Sequence, residues 1–229
     1  MLRLEGITAG YGNHTVLRDV DLVVPEGSVV ALLGANGAGK TTLLRVASGL
    51  IKPTAGRCVI DGIDATDWPA YKFARAGVCH VPEGRGIFRG LPVSDNLRLQ
   101  APRELDLAGV GRATKAFPVL GERLTQRAGT LSGGEQQMVA LAHAYVSESP
   151  LVLLDEVSMG LAPKVVTEIF SHLRNLAAEG IALLLVEQYV GKALELADYV
   201  YILRKGRVQF AGEPSQLLDG QVLAHYLGG

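Results

Sequence analysis

Gly34 to Thr42 reads G-A-N-G-A-G-K-T-T and follows the unbroken apolar run Val29-Val30-Ala31-Leu32-Leu33. A short run rich in β-branched residues and closed by glycine reads as a buried strand. The residues after it, Thr41 to Ala47, suit a helix packed against a sheet. Strand, glycine-rich turn and helix are the setting that a phosphate-binding P-loop requires. Gly34, Gly37 and Gly39 let the backbone turn tightly, so that amides from Gly34, Ala35, Asn36, Gly37, Ala38 and Gly39 face inward as an anion nest. The start of the following helix, at Lys40, Thr41 and Thr42, adds unpaired N–H donors and a positive dipole end. Lys40 is placed to reach β- and γ-phosphates, and the Thr41 hydroxyl to ligate Mg2+. The bland alternative is a β–α turn without a ligand, and the flanking strand and helix argue against it.

Composition bounds what can surround this loop. The chain has 229 residues, 48% of them apolar, enough for one substantial domain or a core with a subdomain. A net charge of −1 provides no global basic field, so no nucleic-acid partner is expected. Cys58 and Cys79 stand alone, without C-x-x-C spacing or a histidine cluster, and read as small core residues in a reducing compartment. The N-terminus, Met1 to Gly6, has no signal-peptide apolar stretch. No apolar run approaches the length of about 20 residues that spans a bilayer. The expected location is cytoplasmic, with any membrane role supplied by a partner.

Along the chain, Leu2 to Val24 alternates like an antiparallel strand pair with a turn at Gly10 to Asn13 that holds Tyr11. Arg57 to Gly62 reads as a strand and turn, and Val78 to Val81 as a short buried strand ending at Pro82. From Arg89 to Ser149 strand-like runs vanish, and Val93–Gln100 and Leu105–Leu120 carry helical periodicity. That segment ends in a helix over Gly133–Ser147, with Met138, Leu141, Ala142 and Tyr145 on its apolar face. The sequence then alternates: strand Leu151–Leu154, helix Pro163–Ala178, strand Ile181–Val186, helix Val190–Ala197, strands Tyr199–Leu203 and Arg207–Ala211, and a short helical tail. Such alternation predicts a mostly parallel sheet with helices on both faces. The predicted organisation is one domain, with an α/β core over 1–88 and 150–229 and an inserted helical subdomain over 89–149.

Two further constellations carry chemistry. Leu151 to Leu154 runs straight into Asp155-Glu156, placing two carboxylates at a strand's C-terminal end, where open α/β sheets bind ligands. One can hold Mg2+ while the other polarises an attacking water. Leu131-Ser132-Gly133-Gly134-Glu135-Gln136-Gln137 puts a capping serine and two bare glycine amides at a helix N-terminus, a second anion site. Each alone is an ordinary strand end or a capped helix. In the order P-loop, L-S-G-G-E-Q-Q, D-E, they resemble the ATP-binding cassette (ABC) family over essentially the whole chain.

That resemblance implies an α/β fold: an ABC-type P-loop NTPase core with an antiparallel β subdomain and an inserted helical subdomain. It implies ATP and Mg2+ as cofactors, and head-to-tail dimers sandwiching two ATP between the P-loop of one subunit and the signature of the other. Ser132, Gly133, Gly134 and Glu135 are then the signature acting in trans. Tyr11 matches the family's adenine-stacking aromatic, Val16 the apolar residue beside it, and Glu156 the catalytic carboxylate. Ser158-Met159-Gly160-Leu161-Ala162 matches the loop that crosses the dimer interface.

Two positions depart from the family pattern. Val81-Pro82-Glu83-Gly84-Arg85 supplies Glu83 where glutamine is usual beside the metal, and Glu187-Gln188 supplies Gln188 where a switch histidine is usual. Both strings are similar to one subfamily, the LivF-type ATPase of branched-chain amino acid importers. Its implied partners are membrane permease subunits that hold it at the inner face of the cell membrane, and either a second copy or a different ABC ATPase. Alternatives are the ATPase of a urea or amide importer, against which Glu83 counts, and a soluble ABC ATPase of repair or translation. Those last resemble chains with coiled-coil insertions or two cassettes, which this one lacks. His14, His80, His143, His172 and His225 show no ligand spacing. Ile87, Phe88, Leu91 and Val93 read either as subdomain core or as part of a groove for a partner's helix.

Overall fold

In a computed structural model, residues 1–84, 86–101 and 106–217 are described. The first strands are β1 (Leu2–Tyr11), β2 (His14–Val24), β3 (Val29–Leu33), β4 (Ala55–Ile60), β5 (Ile63–Asp64) and β6 (Val78–Val81). They are followed by β7 (Leu151–Asp155), β8 (Ala182–Val186), β9 (Tyr199–Arg204) and β10 (Arg207–Gly212). The run Val29–Leu33 has no polar alternation, so both its faces must be covered. All five residues are buried, and β3 lies inside a six-stranded sheet of order β10-β9-β3-β8-β7-β6. Only the β9–β10 pairing in it is antiparallel. A second sheet, β2-β1-β4-β5, is antiparallel throughout.

The period-2 alternation of β3 sorts its side chains between two cores. Val30 and Leu32 face the antiparallel sheet together with helix α1 (Lys40–Ala47). Val29, Ala31 and Leu33 face the other side, where most of the remaining helices pack. The short α2 (Ala70–Arg75), near β6, joins the first side through Phe73. On the second side are α3 (Val93–Gln100), α4 (Asp106–Ala116), α5 (Pro118–Gly121) and α6 (Gly133–Ser147). The later ones are α7 (Pro163–Ala178) and α8 (Val190–Leu196).

The structure differs from the sequence-based expectation in several places. Residues 105–120 carry helical periodicity in the sequence; Leu105 lies outside the described residues. The rest breaks at Pro118, which has no N–H to continue α4 and instead opens α5 at a position where none is needed. Helix α6 was expected to show one apolar face, but Gln136 to Ala144 are all buried, while Tyr145 is only partly so. Packed between β6 on one side and α3 and α4 on another, α6 has no solvent face along that stretch. Helix α2 has no counterpart in the sequence reading: six residues with only Phe73 buried are too few for a 3.6-residue period to emerge. The terminal tail beyond Leu217 and His225 lie outside the described residues.

A buried polar side chain fixes the loop before α3. The fully buried Asn96 accepts from Phe88 N at 2.7 Å and donates to the carbonyls of Phe88 and Pro92 at 3.0 Å each, pinning the turn before α3. Within the apolar group beside it, Val93 is core and Ile87 packs against core, whereas Phe88 and Leu91 face solvent. Both cysteines are unpaired, and burial pushes the Cys58 thiol up to about 12 and that of Cys79 to about 11, so neither is a nucleophile at neutral pH. Among the described residues no helix is long and apolar enough to cross a membrane.

His143, on α6, is 6% exposed with no partner for Nε2, and burial lowers its pKa to about 4. Its unfolded value is about 6.5, so folding favours the neutral ring. The stability that this linkage contributes is complete above about pH 6.5 and is lost as pH falls towards 4. His143→Leu keeps the volume and removes the titration. Its melting temperature should match or exceed the wild type at about pH 7.5 and fall less steeply down to about pH 5. Parallel melting curves of Tm against pH for the two proteins would relieve His143 of that role.

Candidate active site

The P-loop takes its shape from residues on β3 and β9. Gly34 leaves β3 with φ 153°, and a Cβ there would collide with the Leu203 carbonyl oxygen on β9. Gly39 turns into α1 with φ 110°, a conformation costly for any other residue. Helix α1 starts without a side-chain cap and with no acidic residue in its first turn. Its leading amides are therefore open to an anion. Lys40 is 6% exposed, and its Nζ donates to the carbonyls of Gly34 at 2.9 Å and Ala35 at 3.2 Å. The same Nζ lies 3.7 Å from Glu156 Oε1.

These groups open onto a cleft of ≈ 420 Å³. Asn36, Gly37, Gly39, Lys40, Thr41 and Thr42 line it together with Val16. Glu83, Glu156, Met159 and Gln188 complete the lining. Ala38 is buried behind the loop, donating its amide to the Ala35 carbonyl at 3.1 Å and accepting from the Gly206 amide at 2.9 Å. Tyr11 faces an adjoining hollow of ≈ 550 Å³ that shares Thr41 and Glu83 with the cleft and reaches Asp155. Its hydroxyl accepts from Arg45 Nη1 at 2.9 Å, the Arg45 guanidinium lies 6.0 Å from its ring centroid, and the residue is 45% exposed.

Parallel pairing sets the two carboxylates. β7 and β8 run in register with Asp155 opposite Val186, so both strands end at the same level. Asp155 is 1% exposed and accepts from Thr41 Oγ1 at 3.3 Å. Burial pushes its carboxyl up to about 6; the Thr41 hydrogen bond and Lys40 oppose this, while the charges of Glu156 and Glu83 add to it. Glu156 then turns into the left-handed region, φ 48°, its amide donating to the Val186 carbonyl at 2.9 Å. That turn aims its side chain back into the cleft, where Gln188 Nε2 donates to Oε2 at 2.8 Å.

A hydroxyl and carboxylates are hard oxygen donors, and a divalent cation would favour ionisation of Asp155, whose carboxyl is raised mainly by burial and further by the charges of Glu156 and Glu83. Thr41, Asp155 and Glu83 therefore fit Mg2+. Met159 was not singled out for the cleft from the sequence, yet its Sδ receives a 3.4 Å contact from Gln188 Nε2. The interface-loop string around it was the only signal for it.

The signature residues sit elsewhere, and none lines this cleft. Ser132 caps α6: Glu135 N donates to Ser132 Oγ at 3.3 Å, and Ser132 N to Glu135 Oε2 at 2.8 Å. The bond from the Ser132 amide, more than Arg123 at 3.1 Å, holds the Glu135 carboxyl below its usual range. Gly134 packs against α7, where a Cβ would meet Val165 Cγ1 at 2.8 Å.

A strand–turn–helix anion cradle with a lysine at its centre, facing a carboxylate able to activate water, defines a P-loop nucleotide hydrolase. Residues 17–159 match the ABC transporter family. The chain is 39% identical to BraG, the high-affinity branched-chain amino acid transport ATP-binding protein of Pseudomonas aeruginosa, over 100% of both chains. It is 37% identical to LivF of Archaeoglobus fulgidus, a probable branched-chain amino acid transport ATP-binding protein, over 96% of this chain and 94% of that one. It is also 35% identical to LptB of Acidithiobacillus ferridurans, a lipopolysaccharide export system ATP-binding protein, over 100% of this chain and 97% of that one. Its fold superposes on an ATP-binding cassette of an ABC transporter in the ADP conformation with a TM-score of 0.84 and 26% identity, covering 100% and 99% of the two chains. The chain belongs to the ABC transporter family and has its mixed α/β cassette fold. It is an ATPase that binds adenine nucleotide.

Proposed function

We propose that this ATPase powers an importer of branched-chain amino acids, working as a head-to-tail dimer on the cytoplasmic face of membrane permease subunits. The carrying observation is that both departures from the general family pattern, Glu83 and Gln188, line the cleft that holds Lys40 and Glu156, with Gln188 bonded to the Glu156 carboxylate. Full-length likeness to BraG and LivF supports the same solute class. The second ATPase is either another copy or a sister chain.

In the working cycle the adenine stacks on Tyr11 beside Val16, and the P-loop amides with the start of α1 take the phosphates. Lys40 exchanges its carbonyl partners for β- and γ-phosphate oxygens. Thr41, Asp155 and Glu83 would hold Mg2+, which when bound would supply neutralisation of phosphate charge. Glu156 accepts the proton of the attacking water, and Gln188 holds that carboxylate with a neutral amide. Ser132, Gly133 and Gly134 of one subunit reach the γ-phosphate bound by the other, with Glu135 keeping the cap in shape.

Likeness to LptB favours a second reading, lipopolysaccharide export. Proteoliposomes carrying the chain with its permease subunits and a solute-binding protein separate the two. ATP-dependent uptake of labelled leucine, lost when this chain is left out, is the expected result. Co-purification with a lipopolysaccharide export assembly, and no leucine uptake, would replace the importer reading with the exporter one.

A further inference from the structure

Glu187 is a buried carboxylate for which the hydrolytic scheme has no use. It follows β8 directly and is 3% exposed. Burying a carboxylate is costly unless donors repay the lost water. One residue 29 positions earlier supplies two of them: Ser158 N donates to Glu187 Oε1 at 3.1 Å, and Ser158 Oγ donates to Oε2, while the Gln188 amide adds another. Ser158 is itself fully buried. It stands two residues after Glu156 in a turn closed by the bond from Met159 N to the Glu156 carbonyl at 3.2 Å.

The neighbouring side chain grips the same turn from outside. Gln188 donates to Glu156 Oε2 at 2.8 Å and contacts Met159 Sδ at 3.4 Å. Consecutive residues after β8 thus hold the segment after β7 at two points, one inside the fold and one in the cleft. The inner hold is needed because Glu156 occupies the left-handed region, which a non-glycine residue keeps only when its surroundings enforce it. Burial, more than the charge of Glu156, pushes the Glu187 carboxyl up to about 7.

We propose that Glu187 is a positioning residue for hydrolysis: by accepting both donors of Ser158 it fixes the turn that presents the Glu156 carboxylate to the attacking water. The proposal rests on Glu156 being the base. Displacement of a base by about 1 Å can cost up to about a hundredfold in rate without touching the nucleotide's own contacts. Glu187→Leu removes both acceptors. Glu187→Gln keeps one acceptor for the amide, and its NH2 can donate to the Ser158 hydroxyl once that rotates.

The test measures kcat and KM for MgATP, equilibrium binding of a fluorescent ATP analogue, and melting temperature for these variants and Ser158→Ala. Glu187→Leu and Ser158→Ala should each lower kcat about ten- to a hundredfold with nucleotide affinity within about twofold of wild type. Glu187→Gln should recover most of that rate, and the double variant should be no slower than the slower single one. Losses that multiply in the double variant, or wild-type kcat in Ser158→Ala and Glu187→Leu, would overturn the proposal. If Glu187→Leu fails to fold, Ser158→Ala and Glu187→Gln carry the decision. Normal turnover in Glu156→Gln would instead overturn the assignment of the base, a distinct result.

Discussion

Glu156→Gln is expected to lose about a thousandfold in turnover, equal to about 4 kcal/mol of barrier, while binding ATP at least as well as wild type. The amide cannot take a proton from water. Its carbonyl oxygen can still accept from Gln188 Nε2, so the geometry of the turn survives. Substitution also removes the carboxylate 3.7 Å from Lys40 Nζ, a competitor with phosphate for that ammonium. Uncleaved γ-phosphate then keeps both halves of the sandwich engaged, and a closed dimer should accumulate with MgATP. Single-turnover ATPase assays and light scattering check the two halves of the expectation. Wild-type turnover would end the role given to Glu156.

The second large effect is expected across the dimer. Ser132 lies outside the cleft of its own chain and caps α6, with the bare amides of Gly133 and Gly134 behind it. Ser132→Arg loses the cap, a cost of about 1 kcal/mol. It also places a bulky side chain where the partner's γ-phosphate would dock. In a Glu156→Gln background the monomer should bind MgATP nearly normally yet show no nucleotide-driven dimer by light scattering. Dimerisation at the parent level would reject the head-to-tail arrangement.

Much of the site is local in sequence, which is why it could be read there. The P-loop, the D-E pair after Leu151–Leu154 and the L-S-G-G-E-Q-Q string with its capping serine each lie within a few residues, and the uninterrupted apolar runs identify buried strands. What escaped reading depends on partners far away along the chain. Whether Glu187 faces water or Ser158 is decided by the β7–β8 register, and whether α6 has a solvent side is decided by α3, α4 and β6. Asn96 looks like any helical asparagine until its three backbone partners are in place. The six-residue α2 is shorter than the window over which periodicity can be judged.

The bonds from Lys40 to the carbonyls of Gly34 and Ala35 mean that the cradle greets its ligand already occupied, by an ammonium of its own. Nucleotide capture is therefore an exchange, in which phosphate oxygens must outbid two carbonyls and the neighbouring Glu156. A nucleoside monophosphate offers nothing at the distance of a β-phosphate and leaves that internal pairing intact. In the proposed function a diphosphate would displace it, and a triphosphate would also face Glu156. The lysine would thus count phosphates, reading the length of the chain before any water is activated.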